Sequence, residues 1–138
     1  MTARADVLVA VAVGGAAGSL ARFGLGEAMP HASGQLPAAT LLANVTGCLL
    51  IGALMATITE SANPHRLLRP FLGVGVLGGY TTFSTFAVEV LDTGAAGAVW
   101  PALLYAAGTV LLTLTATAAG MVLTRAVINR RRLGGREH

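Results

Sequence analysis

Between Gly73 and Phe86 the chain reads Gly-Val-Gly-Val-Leu-Gly-Gly-Tyr-Thr-Thr-Phe-Ser-Thr-Phe. Four glycines, four Ser or Thr hydroxyls and three of the chain's seven aromatic side chains fall within these fourteen positions. Gly78-Gly79 followed by the β-branched pair Thr81-Thr82 makes a poor helix interior, because glycine pays backbone entropy and β-branched residues lose rotamer freedom. In lipid, a broken helix is tolerated only where its freed backbone groups are buried in protein or face a polar cavity. Broken membrane helices commonly use such groups to bind ions near the midplane. The plainer alternative is a kinked packing helix.

Other chemistries find little support. Cys48 is the only cysteine, so neither an internal disulfide nor a thiolate zinc site can be built. His31, His65 and His138 fall in loops or the tail, too scattered for a metal site. No Ser-His-Asp arrangement appears, nor any pair of carboxylates within one apolar stretch, and an enzyme is not expected.

The elements that must position these residues follow from charge. The chain has 138 residues, 54% apolar and only 11% charged, where a soluble domain carries about a quarter. That composition also excludes disorder. Residues 7–21, 28–59, 70–88 and 93–124 contain no Asp, Glu, Lys or Arg. About 20 mainly apolar residues cross a bilayer. The reading is an all-α membrane protein, one four-helix unit over 1–138, with spans near 5–27, 38–60, 67–91 and 98–127 and the third helix broken near Gly78–Thr82. Loops are marked by Pro30 to Pro37, by Asn63-Pro64 and by Asp92-Thr93-Gly94, while Pro101 suits the first turn of the last helix. Gly14, Gly15, Gly18, Gly47, Gly52, Gly108 and Gly120 are assigned to close helix packing, since small residues let backbones approach in lipid.

All nine basic residues are arginines. Four spans put Arg4, Arg66, Arg69, Arg125, Arg130, Arg131, Arg132 and Arg136 on one side of the membrane, and the positive-inside rule makes that side cytoplasmic, with both termini. The arginine-rich tail is read as a topological anchor touching anionic lipid rather than a nucleic-acid site.

Three stretches together resemble one known family. Gly78-Gly-Tyr-Thr-Thr-Phe-Ser-Thr-Phe86 with Glu89 is similar to the signature of the Fluc (CrcB) fluoride channels. Gly14 through Arg22-Phe23 and Thr40-Leu-Leu-Ala-Asn44-Val-Thr-Gly47 resemble that family's first- and second-helix motifs, in the right order. Tyr105, Thr109 and Thr113 fall at the spacing of its fourth-helix polar track. Cys48 departs from the serine or other small residue usual there.

The resemblance implies a fluoride-selective passive channel of the prokaryotic plasma membrane, built as an antiparallel, dual-topology dimer with a central structural sodium ion. It assigns the sodium to the backbone carbonyls of Gly78 and Thr81, and the residue chemistry agrees, since hard cations want oxygen ligands. Fluoride is small and strongly hydrated, so a pore must replace its water with donors. Thr40, Asn44, Ser84, Thr85, Thr109 and Thr113 carry N–H or O–H groups suited to that task. Phe83 and Phe86 stand three apart, and their electropositive ring edges match the family's phenylalanine box. Tyr105 lines or gates the track, or anchors at the interface. Arg22 has two readings, a snorkelling cation or a vestibule that draws anions in, and Glu89 either caps the pore mouth or is an ordinary interfacial carboxylate.

Two further expectations concern rivals and partners. A proton-coupled exporter of the small multidrug-resistance type also has four short helices, but it needs a carboxylate within the first, and Glu27 sits at that helix's end. The eight-to-zero arginine bias demands one-way insertion, so the second, antiparallel subunit is expected to be a homologous partner chain, giving a heterodimer, rather than a copy of this one.

Overall fold

A computed structural model describes residues 2–32 and 35–134. Arg136 and His138 therefore lie outside the described residues. Helix α1 spans Thr2–Ala28 and α2 spans Ala38–Glu60. The third membrane span, Arg69–Ala95, is made of three pieces. A π-helix, α3 (Arg69–Leu77), runs into a single α-turn over Gly78–Tyr80; after Thr81, Thr82 and Phe83 the chain resumes as α4 (Ser84–Ala95). Helix α5 covers Val99–Gly134. Among the described residues, four stretches are long and apolar enough to cross a membrane.

Some boundaries differ from expectation for identifiable reasons. The break falls at Thr81–Phe83, not from Gly78, because Gly78 keeps helical dihedrals and the chain first turns extended at Thr81 (φ −81°, ψ 156°). Asp92, Thr93 and Gly94 extend α4 rather than open the loop; Thr93 Oγ1 bonds back to the Glu89 carbonyl at 2.7 Å, which keeps that turn wound. The turn itself rests on Gly97, whose φ of +85° suits a residue without a Cβ. The 36-residue α5 runs about 54 Å at 1.5 Å per residue, well beyond a bilayer core of about 30 Å. Its final turns leave the apolar span, and Arg132 donates to the Glu60 carbonyl and carboxylate at 2.8 and 3.0 Å, closing the end of α2. At the same end of the molecule Arg66 pairs with Asp6.

Packing falls into two main pairs, α2 on α5 and α1 on the π-helix with its following turn. Glycine makes both possible. A Cβ on Gly18 would run into the Val76 carbonyl, and one on Gly120 into the Leu49 carbonyl. Gly15 and Gly108 are exceptions among the glycines assigned to packing, since a Cβ on either meets nothing within 4 Å. Beside Gly108 lies an apolar groove of about 310 Å³, bounded by Leu36, Leu41, Leu104 and Leu112, which leaves that face of α5 open.

Candidate ion pathway

The break is held open by a side chain from another helix. Asn44, 7% exposed on α2, takes the Thr82 N–H on its Oδ1 at 2.8 Å and donates Nδ2 to the Thr82 carbonyl at 2.9 Å. The Thr82 hydroxyl then accepts the Thr85 N–H at 3.2 Å, satisfying one of the orphan donors of the first turn of α4. These two diversions have a specific consequence. In a continuous α-helix the Gly78 carbonyl would accept from Thr82 N–H, and the Thr81 carbonyl from Thr85 N–H. Both donors are engaged elsewhere, so the two carbonyls that the resemblance assigns to sodium lose their α-helical partners here. Gly78 is itself exposed.

An open cleft of about 220 Å³ lies beside the break, lined by Asn44 and Cys48 of α2, Thr81 to Phe83, Phe86 of α4, and Thr109, Val110 and Thr113 of α5. Residues far apart in sequence meet here because α2 packs on α5 and Asn44 ties α2 to the break. The Phe83 and Phe86 ring centroids are 5.9 Å apart, and Phe86 lies 5.4 Å from Tyr105. Phe83 is 79% exposed, a large ring presented outward from the middle of a membrane span. Thr109 is 4% exposed, and its hydroxyl has no partner among the described residues. A buried hydroxyl without a partner costs about 1–3 kcal/mol in a protein interior.

A second cleft, about 210 Å³, gathers Arg22, Phe23 and Glu27 of α1, His31, Thr40 of α2, and Thr85 and Glu89 of α4. Glu89 is the hub. Its Oε1 accepts from Thr40 at 2.6 Å and its Oε2 from Tyr105 at 2.8 Å, so α2, α4 and α5 meet on one carboxylate. Arg22 faces this cleft while its Nε donates to the Gly79 carbonyl at 3.2 Å. The guanidinium thus ties α1 to the turn before the break and lends positive charge to the cavity.

The geometry sorts the six expected donors. Asn44 spends one amide hydrogen on Thr82 and retains the other. Thr109 is unspent. Thr85 accepts from Thr82 at 3.0 Å and keeps its own proton, and exposed Ser84 lies 3.4 Å from the Thr82 hydroxyl. Thr40 donates to Glu89 instead, and Thr113 donates to the Thr109 carbonyl of its own helix at 2.8 Å, lining the cleft without offering its hydrogen. Sequence reasoning missed Thr82, which joins the bonds to Asn44, Ser84 and Thr85, and Cys48 as a lining residue. The i, i+4 spacing of Thr40, Asn44 and Cys48 on one face of α2 was the available signal.

A four-span membrane protein with a clamped helix break, hydroxyls and aromatic rings around an open cleft belongs to the class that moves small ions. Comparison with known proteins narrows this. Residues 9–121 match the family model described as CrcB-like protein, Camphor Resistance (CrcB), and the chain belongs to that family. It is 50% identical over 117 residues to the fluoride-specific ion channel FluC 2 of Nocardia farcinica, covering 85% of this chain and 81% of that one. It is 49% identical over 124 residues to FluC 2 of Thermobifida fusca, covering 90% and 92%. With FluC of Paracoccus denitrificans the identity is 41% over 115 residues, covering 83% and 91%.

Proposed function

We infer that this chain is a fluoride-selective passive ion channel that lets fluoride leave the cell. The observation that carries the reading is the cleft where Asn44, the unpartnered Thr109 hydroxyl and the Phe83–Phe86 pair converge beside the break. Each replaces part of a hydration shell without a fixed counter-charge, so the anion is held weakly enough to pass. Arg22 and Glu89 belong to the mouth, where Arg22 attracts the anion and Glu89 fixes the hydroxyls of Thr40 and Tyr105. Tyr105, packed on Phe86, connects mouth and cleft.

Export follows from acid–base chemistry. Neutral HF crosses lipid, ionises in the less acidic cytoplasm and leaves the anion trapped; a passive pathway then lets the inside-negative potential expel it. The family relatives named as fluoride channels and the absence of a carboxylate from the middle of α1 both weigh against a proton-coupled exporter. Fluoride-loaded liposomes holding this chain together with a homologous partner chain test the reading. Efflux should follow the electrical gradient and stop when it is collapsed; strict dependence on a proton gradient would refute it.

The freed carbonyls of Gly78 and Thr81 fit a hard cation, and two from each of two subunits would supply four oxygens for a structural sodium ion. The exposed Gly78, the outward Phe83 and the open side of the cleft fit an antiparallel second subunit. With Arg4, Arg66, Arg69, Arg125 and Arg130 to Arg132 gathered at the end closed by the Arg66–Asp6 and Arg132–Glu60 pairs, one-way insertion with both termini cytoplasmic is the consistent topology. The second subunit is then a homologous chain of opposite bias, and the arginines rest on anionic lipid. Probing a C-terminal tag from outside the cell tests this: equal inward and outward populations, with flux from this chain alone, would refute the heterodimer.

A further inference from the structure

We propose that Tyr80 is a positioning residue for the sodium site, holding through Thr46 the end of the half-helix that carries the Gly78 and Thr81 carbonyls. The proposal rests on the sodium reading above. Tyr80 is the last helical residue before the break, and the backbone turns extended at Thr81. Its hydroxyl lies 3.1 Å from the Thr46 hydroxyl of α2. Thr46 Oγ1 directs its one proton to the Leu42 carbonyl at 2.6 Å, so the phenol must be the donor in the pair. The order runs from the Tyr80 O–H to Thr46 Oγ1, and from the Thr46 O–H to the Leu42 carbonyl. Bonds chained in this way polarise and strengthen one another in a low-dielectric interior.

This contact is one of three in a row. Tyr80 meets Thr46, Thr81 packs on Gly47 and Thr82 is held by Asn44, so consecutive residues at the break are each tied to α2. A Cβ on Gly47 would strike Thr81 Cγ2 and lie 3.3 Å from the Tyr80 ring, so both side chains use the slot that this glycine leaves. From α1, Gly18 packs against the Tyr80 backbone, and Arg22 donates to the Gly79 carbonyl at 3.2 Å. Two helices therefore grip the turn Gly78–Tyr80, and among the described residues the Tyr80–Thr46 bond is the one hydrogen bond joining that turn to α2. Carbonyl dipoles gathered for a hard cation repel one another, so the groups behind them must hold them in place. Such outer partners tune how tightly a metal is bound. A phenylalanine at position 80 would fill the slot without fixing the ring to α2, leaving the turn and its carbonyls freer to drift.

The test uses the full-length chain assembled with a homologous partner chain in detergent, and the probe is sodium chloride replaced by N-methyl-D-glucamine chloride at constant ionic strength. A cation bound only by the folded state raises the melting temperature by mass action, and the concentration at which the rise begins reports its dissociation constant. Tyr80→Phe is expected to move that concentration about two- to tenfold higher, the range by which losing one neutral hydrogen bond shifts an equilibrium. Thr46→Val should do the same, the double variant should add little to either single one, and Thr46→Ser, which keeps the acceptor, should match the unsubstituted chain. A lower melting temperature at every sodium level, with the onset concentration unchanged, would overturn the proposal by making the bond merely structural. An onset moved by Tyr80→Phe but not by Thr46→Val would overturn it by removing α2 from the link. Absence of any sodium-specific rise in the unsubstituted assembly would instead refute the sodium reading and the positioning role with it, while fluoride efflux from the same assembly in liposomes would leave the channel reading standing.

Discussion

The side-chain amide of Asn44 pairs with both backbone groups of Thr82, accepting its N–H at 2.8 Å and donating to its carbonyl at 2.9 Å. One residue of α2 thus substitutes for two rungs of the helical ladder missing from the third span. Asn44→Ala should therefore do more than remove a fluoride donor. Each backbone group left unpaired costs about 1–3 kcal/mol. The variant is expected to lose fluoride efflux in liposomes and to melt at lower temperature in detergent. An unchanged melting temperature would show that Thr82 finds other partners.

The aromatic pair should separate along similar lines. Phe83 is 79% exposed, whereas Phe86 packs 5.4 Å from the Tyr105 ring. Such an aromatic contact contributes about 0.5–1.5 kcal/mol beyond area burial. Phe83→Ile is expected to cut flux at least tenfold with little change in monomer packing, while Phe86→Ile cuts flux and also lowers stability by about 1 kcal/mol. Flux preserved in both variants would remove the ring edges from the pathway.

Thr109 offers a case where stability and function move in opposite directions. Its hydroxyl is buried and unpartnered. Replacement by the near-isosteric valine removes a polar group that is costly to bury, so Thr109→Val should hold or gain stability, by up to about 1–3 kcal/mol, while fluoride efflux falls. Thr109→Ser should retain most of the flux. Equal flux from the valine and serine variants would show that no anion uses this hydroxyl.

Thr40 and Tyr105 are coupled through the two oxygens of Glu89. Thr40→Val and Tyr105→Phe each leave one oxygen without its hydroxyl, and groups sharing a partner do not add independently. Thermal or denaturant unfolding of the two single variants and the double should give an interaction energy of about 0.5–3 kcal/mol. Strict additivity would mean that Glu89 does not join the two helices.

Much of this architecture was legible because a bilayer permits few solutions. Runs without charge located the four spans, and the second matches Ala38–Glu60. The crowding of glycines and β-branched residues signalled the break, since such a run winds poorly in any context. Other features depend on partners no local pattern reveals. The π-helix over Arg69–Leu77 arises where the third span packs against α1 through Gly14, Gly18 and Gly75, and glycine content alone does not specify the winding. Asn44 was legible as a polar residue in an apolar helix, but its role as a backbone clamp needs Thr82, 38 residues away. The directions of the Thr40 and Thr113 hydroxyls were unreadable for the same reason, because a threonine's proton goes to whichever acceptor the fold brings near.

Glycine spacing misled in one instructive place, and the contrast yields a last prediction. Gly18 and Gly108 look alike in sequence, each a glycine within an apolar helix. Around Gly18 a methyl would lie 2.9 Å from Tyr80 N and against the Val76 carbonyl, both backbone atoms that cannot swing aside. Gly18→Ala must push α1 away from the turn before the break, and overpacking of this kind costs about 1–3 kcal/mol. The same displacement stretches the Arg22 bond to Gly79, one turn further along, so the mouth is disturbed together with the packing. Around Gly108 nothing lies within 4 Å, and alanine there fits helical geometry better than glycine by about 0.5–1 kcal/mol. Gly18→Ala is expected to lower the melting temperature and slow fluoride efflux, while Gly108→Ala leaves the melting temperature equal or higher. Measured side by side in detergent, a destabilised Gly108→Ala would refute this and mark the groove beside α5 as a surface occupied by a second subunit.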